Sequence, residues 1–183
     1  MELRYPDVDI KFPLMQSDVE EYFGEPTDDD FASDYIRQFL LGELKEAFSH
    51  VKGGFNNFEC HYVMIDPLMA ALTEVVAKGL AKQIHTFDGC WVIRPPKSGG
   101  MRFSMHAYGL ALDLYAATNP FNMSGVLKTD FTDEFIFCFT KNGFDWGGSW
   151  STPKDAMHFQ LPWVRVRSGK YAPVVWDLNK FKK

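Results

Sequence analysis

Ser104-Met105-His106-Ala107-Tyr108-Gly109-Leu110-Ala111-Leu112-Asp113-Leu114-Tyr115 is the stretch on which the reading of this chain turns. Gly109–Tyr115 alternates enough to predict a strand, and two metal-ligating side chains, His106 and Asp113, stand seven residues apart beside and within it. Upstream, Cys90–Arg94 reads as a strand stopped by Pro95-Pro96, and Lys97–Gly100 as a Gly-rich loop. Phe58–Ile65, rich in aromatic and β-branched residues, predicts another strand. Asp66-Pro67 then starts the clearest helix, carried by Leu68, Leu72, Val75, Val76 and Leu80. Downstream, Asp130–Asn142 reads as a helix with an apolar face of Phe131, Phe135, Ile136 and Phe139, ended by Gly143. Met157–Leu161 reads as a short strand.

The N-terminal part is less regular. Residues 1–16 are Pro-rich and read as extended. Ser17 with Glu20 forms a capping box opening a short helix that ends at Gly24, and Thr27–Asp30 is an acidic, solvated turn. Ile36, Phe39, Leu40, Leu44 and Phe48 recur at helical spacing, which predicts a helix over Asp34–His50. Helices and strands segregate instead of alternating strictly. The expected class is therefore α+β, a small antiparallel sheet flanked by helices. With 183 residues and no dividing linker, one domain is expected over 1–183. In it, residues 1–55 form an N-terminal extension packed on a core at 58–163.

Composition narrows the function classes. Hydrophobic residues make up 46% of the chain, which argues for a real core and against disorder. The net charge of −5, with Lys and Arg scattered, lacks the basic stripe of a nucleic-acid binder. No stretch is long enough to span a membrane, and Met1–Leu14 lacks the pattern of a signal peptide. The expectation is a monomer made in a cytoplasm, contacting neither nucleic acid nor membrane. The three cysteines, Cys60, Cys90 and Cys138, do not read as a disulfide framework and are expected as buried small hydrophobes.

The chemistry lies in Ser104–Asp113 together with Asp155-Ala156-Met157-His158-Phe159-Gln160. Two histidines and a carboxylate, His106, Asp113 and His158, suit a catalytic zinc with a fourth position left open. Zinc lowers the pKa of bound water toward neutrality. Asp155, three residues before His158, is placed to move the proton of such a water to a leaving amine. Ala107, Gly109 and Ala111 fit a backbone packed tightly at the metal. Taken bare, a His and an Asp seven apart also fit a surface histidine and a capping aspartate.

The whole pattern goes further. Ser-x-His-x-x-Gly-x-Ala-x-Asp followed by Asp-x-x-His-Phe resembles the zinc D-alanyl-D-alanine carboxypeptidases and L-alanyl-D-glutamate endopeptidases of the VanY-like group, most closely its bacteriophage endolysin branch. Gly89–Arg94, Asn119-Pro120 and Phe137–Trp150 fit in the right order, so the resemblance covers roughly 58–163. It implies a hedgehog-like zinc D,D-peptidase fold, one Zn2+ per chain on His106, Asp113 and His158, and Asp155 as catalytic base. It implies a contact to substrate or to a ligand from Ser104, and a carbonyl-polarising arginine at Arg94, with Arg102 a nearby competitor. The substrate implied is the peptidoglycan stem peptide, reached from the cytoplasm by some means of delivery. The alternatives are a D,D-carboxypeptidase, a virion-associated wall hydrolase, or a non-catalytic zinc-binding module on the same scaffold.

Other residues carry plainer expectations. His50, His61 and His85 read as surface or core histidines. Trp146 and Trp150 pack or line a substrate groove, and Asp145 orients a ligand histidine or caps a turn.

Overall fold

A computed structural model of the protein describes residues 19–20, 23–94 and 103–161. The chain folds as α+β with small antiparallel sheets, as the sequence predicts. A short helix α1 (Phe31–Tyr35) runs directly into β1 (Ile36–Leu40), which pairs antiparallel with β2 (Asn57–His61). Helix α2 (Ile65–Ala77) follows, then β3 (Phe87–Gly89) and β4 (Ala111–Leu114). The remainder is β5 (Phe121–Asn122), α3 (Asp133–Lys141), β6 (Asp145–Trp146), β7 (Lys154–Asp155) and β8 (His158–Gln160).

The central sheet has the order β3-β4-β8-β6, all neighbours antiparallel, and β5 pairs separately with β7. Both faces of β4 are covered, and all four of its residues are buried. On one face Leu112, Phe159 and Trp146 stand across from one another and pack into the core. Phe159 meets Phe139 at 4.5 Å between ring centroids and Phe131 at 6.0 Å, which seats α3 on the sheet. Burying each such ring contributes about 1.5–3 kcal/mol. Helix α3 begins at Thr132, whose Oγ1 accepts from the Phe135 N–H, and the chain leaves it through Gly143 at φ 94°. Of its predicted apolar face, Phe131, Phe135 and Phe139 are buried and Ile136 is half-buried.

Several local expectations are corrected. Asp34–His50 is not one helix: α1 ends at Tyr35, Ile36–Leu40 is a strand, and Gly42–Lys45 is a 3₁₀ turn. The spacing of Ile36 and Phe39 suits a helix, but these β-branched and aromatic residues pair across to His61 and Phe58 in a ladder that buries both, and Leu40 points to solvent. Cys90–Arg94 is not a sheet strand; β3 lies just before it. The segment still pairs with the turn that carries His106, since the Val92 N–H donates to His106 O and the Ser104 N–H to Arg94 O. The strand predicted over Phe58–Ile65 is β2, which ends at His61, and α2 stops at Ala77 instead of Leu80. Tyr62–Met64 is a 3₁₀ turn. Ser17 and the Lys97–Gly100 loop lie outside the described residues. All three cysteines are free and buried, as expected. Among the described residues no helix is long and apolar enough to cross a membrane.

Candidate metal centre

The site is built by one cross-strand pair and one turn. In the β4–β8 ladder Asp113 stands directly opposite His158, so their side chains leave the same face of the sheet as nearest neighbours. His106 comes from the 3₁₀ turn Met105–Tyr108 that precedes β4. Ser104 caps that turn: its Oγ accepts from the His106 N–H at 3.3 Å, and its carbonyl accepts from the Ala107 N–H. The turn closes on Gly109 in the left-handed region, φ 68°, with its N–H bonded to His106 O. A Cβ at Gly109 would lie 2.6 Å from the His61 backbone nitrogen, so both conformation and space require glycine.

These elements bring three acceptor atoms together. His106 Nε2 lies 3.1 Å from Asp113 Oδ1 and 3.1 Å from His158 Nδ1, and His158 Nδ1 lies 3.0 Å from Asp113 Oδ1. All three residues are buried, with exposures of 2–5%. Ligand atoms about 2.0–2.1 Å from one tetrahedral zinc are spaced roughly 3.3 Å apart, close to what is found here.

The protons fit the same reading. His106 Nδ1 lies 2.7 Å from the Cys90 carbonyl oxygen, which only accepts, so the proton of this imidazole is on Nδ1 and Nε2 presents a lone pair. His158 Nε2 lies 2.9 Å from Gln160 Oε1, which likewise puts its proton outward and frees Nδ1. In these tautomers two imidazole lone pairs and a carboxylate converge, an arrangement that a cation among them would stabilise. Burial lowers the proton affinity of His106. Burial alone would raise the Asp113 carboxyl, but hydrogen bonding and charge from both histidines outweigh it and hold the group ionised, well below the usual carboxylate range. For His158 burial opposes a charge, yet Asp113 and Asp155 together raise its proton affinity, so proton and metal compete for that ring.

Asp155 is buried on β7, opposite Phe121 of β5, and its charge acts on His158. It rests against Gly147: a Cβ there would meet the Asp155 carbonyl oxygen and, at 2.9 Å, the Asp155 Cβ. Trp150 is half-buried, with its indole N–H on Asp145 Oδ2 at 2.7 Å and its ring centroid 5.4 Å from that of His158. It therefore borders the centre, whereas Trp146 is buried packing whose N–H bonds to Ala156 O. Arg94 is half-buried, joined through its carbonyl to Ser104, two residues from His106. Arg102 lies outside the described residues. His50 and His85 are exposed and stand apart from the cluster. His61 is fully buried in an aromatic cage of Phe23, Tyr35 and Tyr62, accepting from the Val63 N–H at Nδ1.

Residues 98–161 match the family described as D-alanyl-D-alanine carboxypeptidase. The match spans the turn, both ligand strands and Asp155, and it implies a metallopeptidase that acts on a peptidoglycan peptide. No curated protein and no solved structure matches the chain.

The sequence reading missed two partners that fix the ligand rings, the Cys90 carbonyl and Gln160. The second was visible in principle. In His158-Phe159-Gln160 a polar residue recurs two positions after a ligand on a strand, and so on the same face.

Proposed function

We propose that this protein is a zinc-dependent peptidoglycan peptidase that hydrolyses an amide of the stem peptide, of the L-alanyl-D-glutamate endopeptidase type used by phage endolysins. The observation that carries the metal-dependent part is the convergence of His106 Nε2, Asp113 Oδ1 and His158 Nδ1 within 3.1 Å of one another, with both imidazole protons directed away. A zinc ion held by these three atoms supplies Lewis-acid activation of water and of the scissile carbonyl.

The chain supplies the rest. Asp155 takes the proton of the attacking water and returns it to the leaving nitrogen, as general base and then general acid. Its burial beside His158 supports that role over a non-catalytic metal module, which needs no carboxylate there. Arg94, with Arg102 the rival, holds the developing oxyanion. Ser104 and Trp150 line the approach, the first while capping the turn of His106, the second from its place on the His158 ring. A second reading, removal of a terminal D-alanine by D,D-carboxypeptidase action, is favoured by the description of the matching family.

The test is digestion of purified peptidoglycan by the parent protein and by Asp155→Asn, with mass spectrometry of the products. New amino groups on D-glutamate mark the endopeptidase, and free D-alanine marks the carboxypeptidase. Asp155→Asn should lose roughly two to four orders of magnitude in rate while keeping its zinc. New reducing sugar ends without new amines would overturn the proposal, because a glycosidase normally works through two carboxylates and no metal.

A further inference from the structure

His158 is a strand residue, and its ring must present Nδ1, the nitrogen nearer its own backbone, to Asp113 and His106. For that, the proton of the neutral ring has to sit on Nε2. Only the atom facing Nε2 can enforce it. That atom is Gln160 Oε1 at 2.9 Å, on the same face of β8 two residues on. Gln160 lies on the central strand pair, with a neighbour on each side. In the ladder it stands opposite Ala111 of β4, whose small side chain leaves room, and opposite Asp145 of β6. Asp145 is itself anchored by the indole N–H of Trp150.

We infer that Gln160 is a positioning residue for the metal centre: its side-chain oxygen fixes the tautomer and ring orientation that let His158 ligate through Nδ1. The inference rests on the metal reading above and extends it, for Gln160 touches neither the metal position nor the reacting atoms. His106 has the equivalent partner in the Cys90 carbonyl. The two rings are thus locked with opposite tautomers, one from the backbone and one from a side chain that can be changed.

The experiment measures zinc dissociation constants by chelator competition at fixed pH for the full chain and for Gln160→Leu and Gln160→Glu, with unfolding midpoints recorded for each. Removing an outer partner of a ligating histidine weakens metal affinity about 10- to 100-fold, which is the loss expected for Gln160→Leu. Gln160→Glu keeps an acceptor facing Nε2 and should hold zinc at least as tightly as the parent. That rescue separates positioning from mere packing, since leucine fills the space as well as glutamate does. A Gln160→Leu affinity equal to the parent's, or a Gln160→Glu affinity as weak as that of Gln160→Leu, would overturn the inference while leaving the metal centre standing. A parent chain that holds no zinc would overturn the metal centre itself, and this inference with it.

Discussion

Gly147→Ala is a perturbation that reaches the proposed proton shuttle without touching any ligand. The added methyl would lie 2.9 Å from Asp155 Cβ and would also meet the Asp155 carbonyl oxygen. Carbon atoms in ordinary contact sit about 3.5–4.0 Å apart, so Asp155 has to retreat by roughly 0.6–1 Å. A displacement of about 1 Å in a catalytic group costs up to ~10²-fold in rate, or about 2.7 kcal/mol of activation free energy. Overpacking of this kind also lowers stability by about 1–3 kcal/mol. The expected outcome is a roughly 10- to 100-fold fall in kcat for release of amino groups from purified peptidoglycan, with one zinc per chain retained. Metal analysis and urea unfolding on the same sample separate the effects. A folded, zinc-loaded Gly147→Ala protein with the parent's kcat would refute the placement of Asp155 in the chemistry.

His106→Ala should abolish stoichiometric zinc, whereas His50→Ala, a change at an exposed histidine away from the cluster, should leave it intact; equal zinc in both by metal analysis would refute the ligand assignment. A third expectation concerns acid stability. Burial, with the nearby Arg37 charge adding to it, pushes the His61 imidazole down from 6.5 to about 3. Between those pH values the unfolded chain takes up a proton that the folded chain refuses, so acidification favours unfolding. The loss begins as pH falls through 6.5 and is complete near pH 3, amounting to ~5 kcal/mol at most. His61→Gln keeps an acceptor for the Val63 N–H and removes the titration, so its urea-derived stability should fall less steeply between pH 7 and 4. Identical slopes in the two proteins would refute the account.

The sequence by itself carried the class of fold and the residues that could hold a metal. Periodicity found α2 and α3, because an amphipathic helix states its buried face locally, and the resemblance carried by the motifs at Ser104–Asp113 and Asp155–Phe159 pointed to His106, Asp113 and His158, which the fold brings together. Asp34–His50 shows where that reasoning stops. The apolar residues of Ile36–Leu40 fit a helix equally well, and only pairing with Asn57–His61 decides for a strand there, since the hydrogen-bond partners lie some twenty residues away. The same holds within the site. That Asp113 faces His158 follows from the register of β4 on β8, and the two imidazole tautomers follow from the Cys90 carbonyl and Gln160 Oε1. Composition and spacing name the atoms able to bind a metal. Which nitrogen of each ring points inward is decided by acceptors that reach it only once the chain has folded.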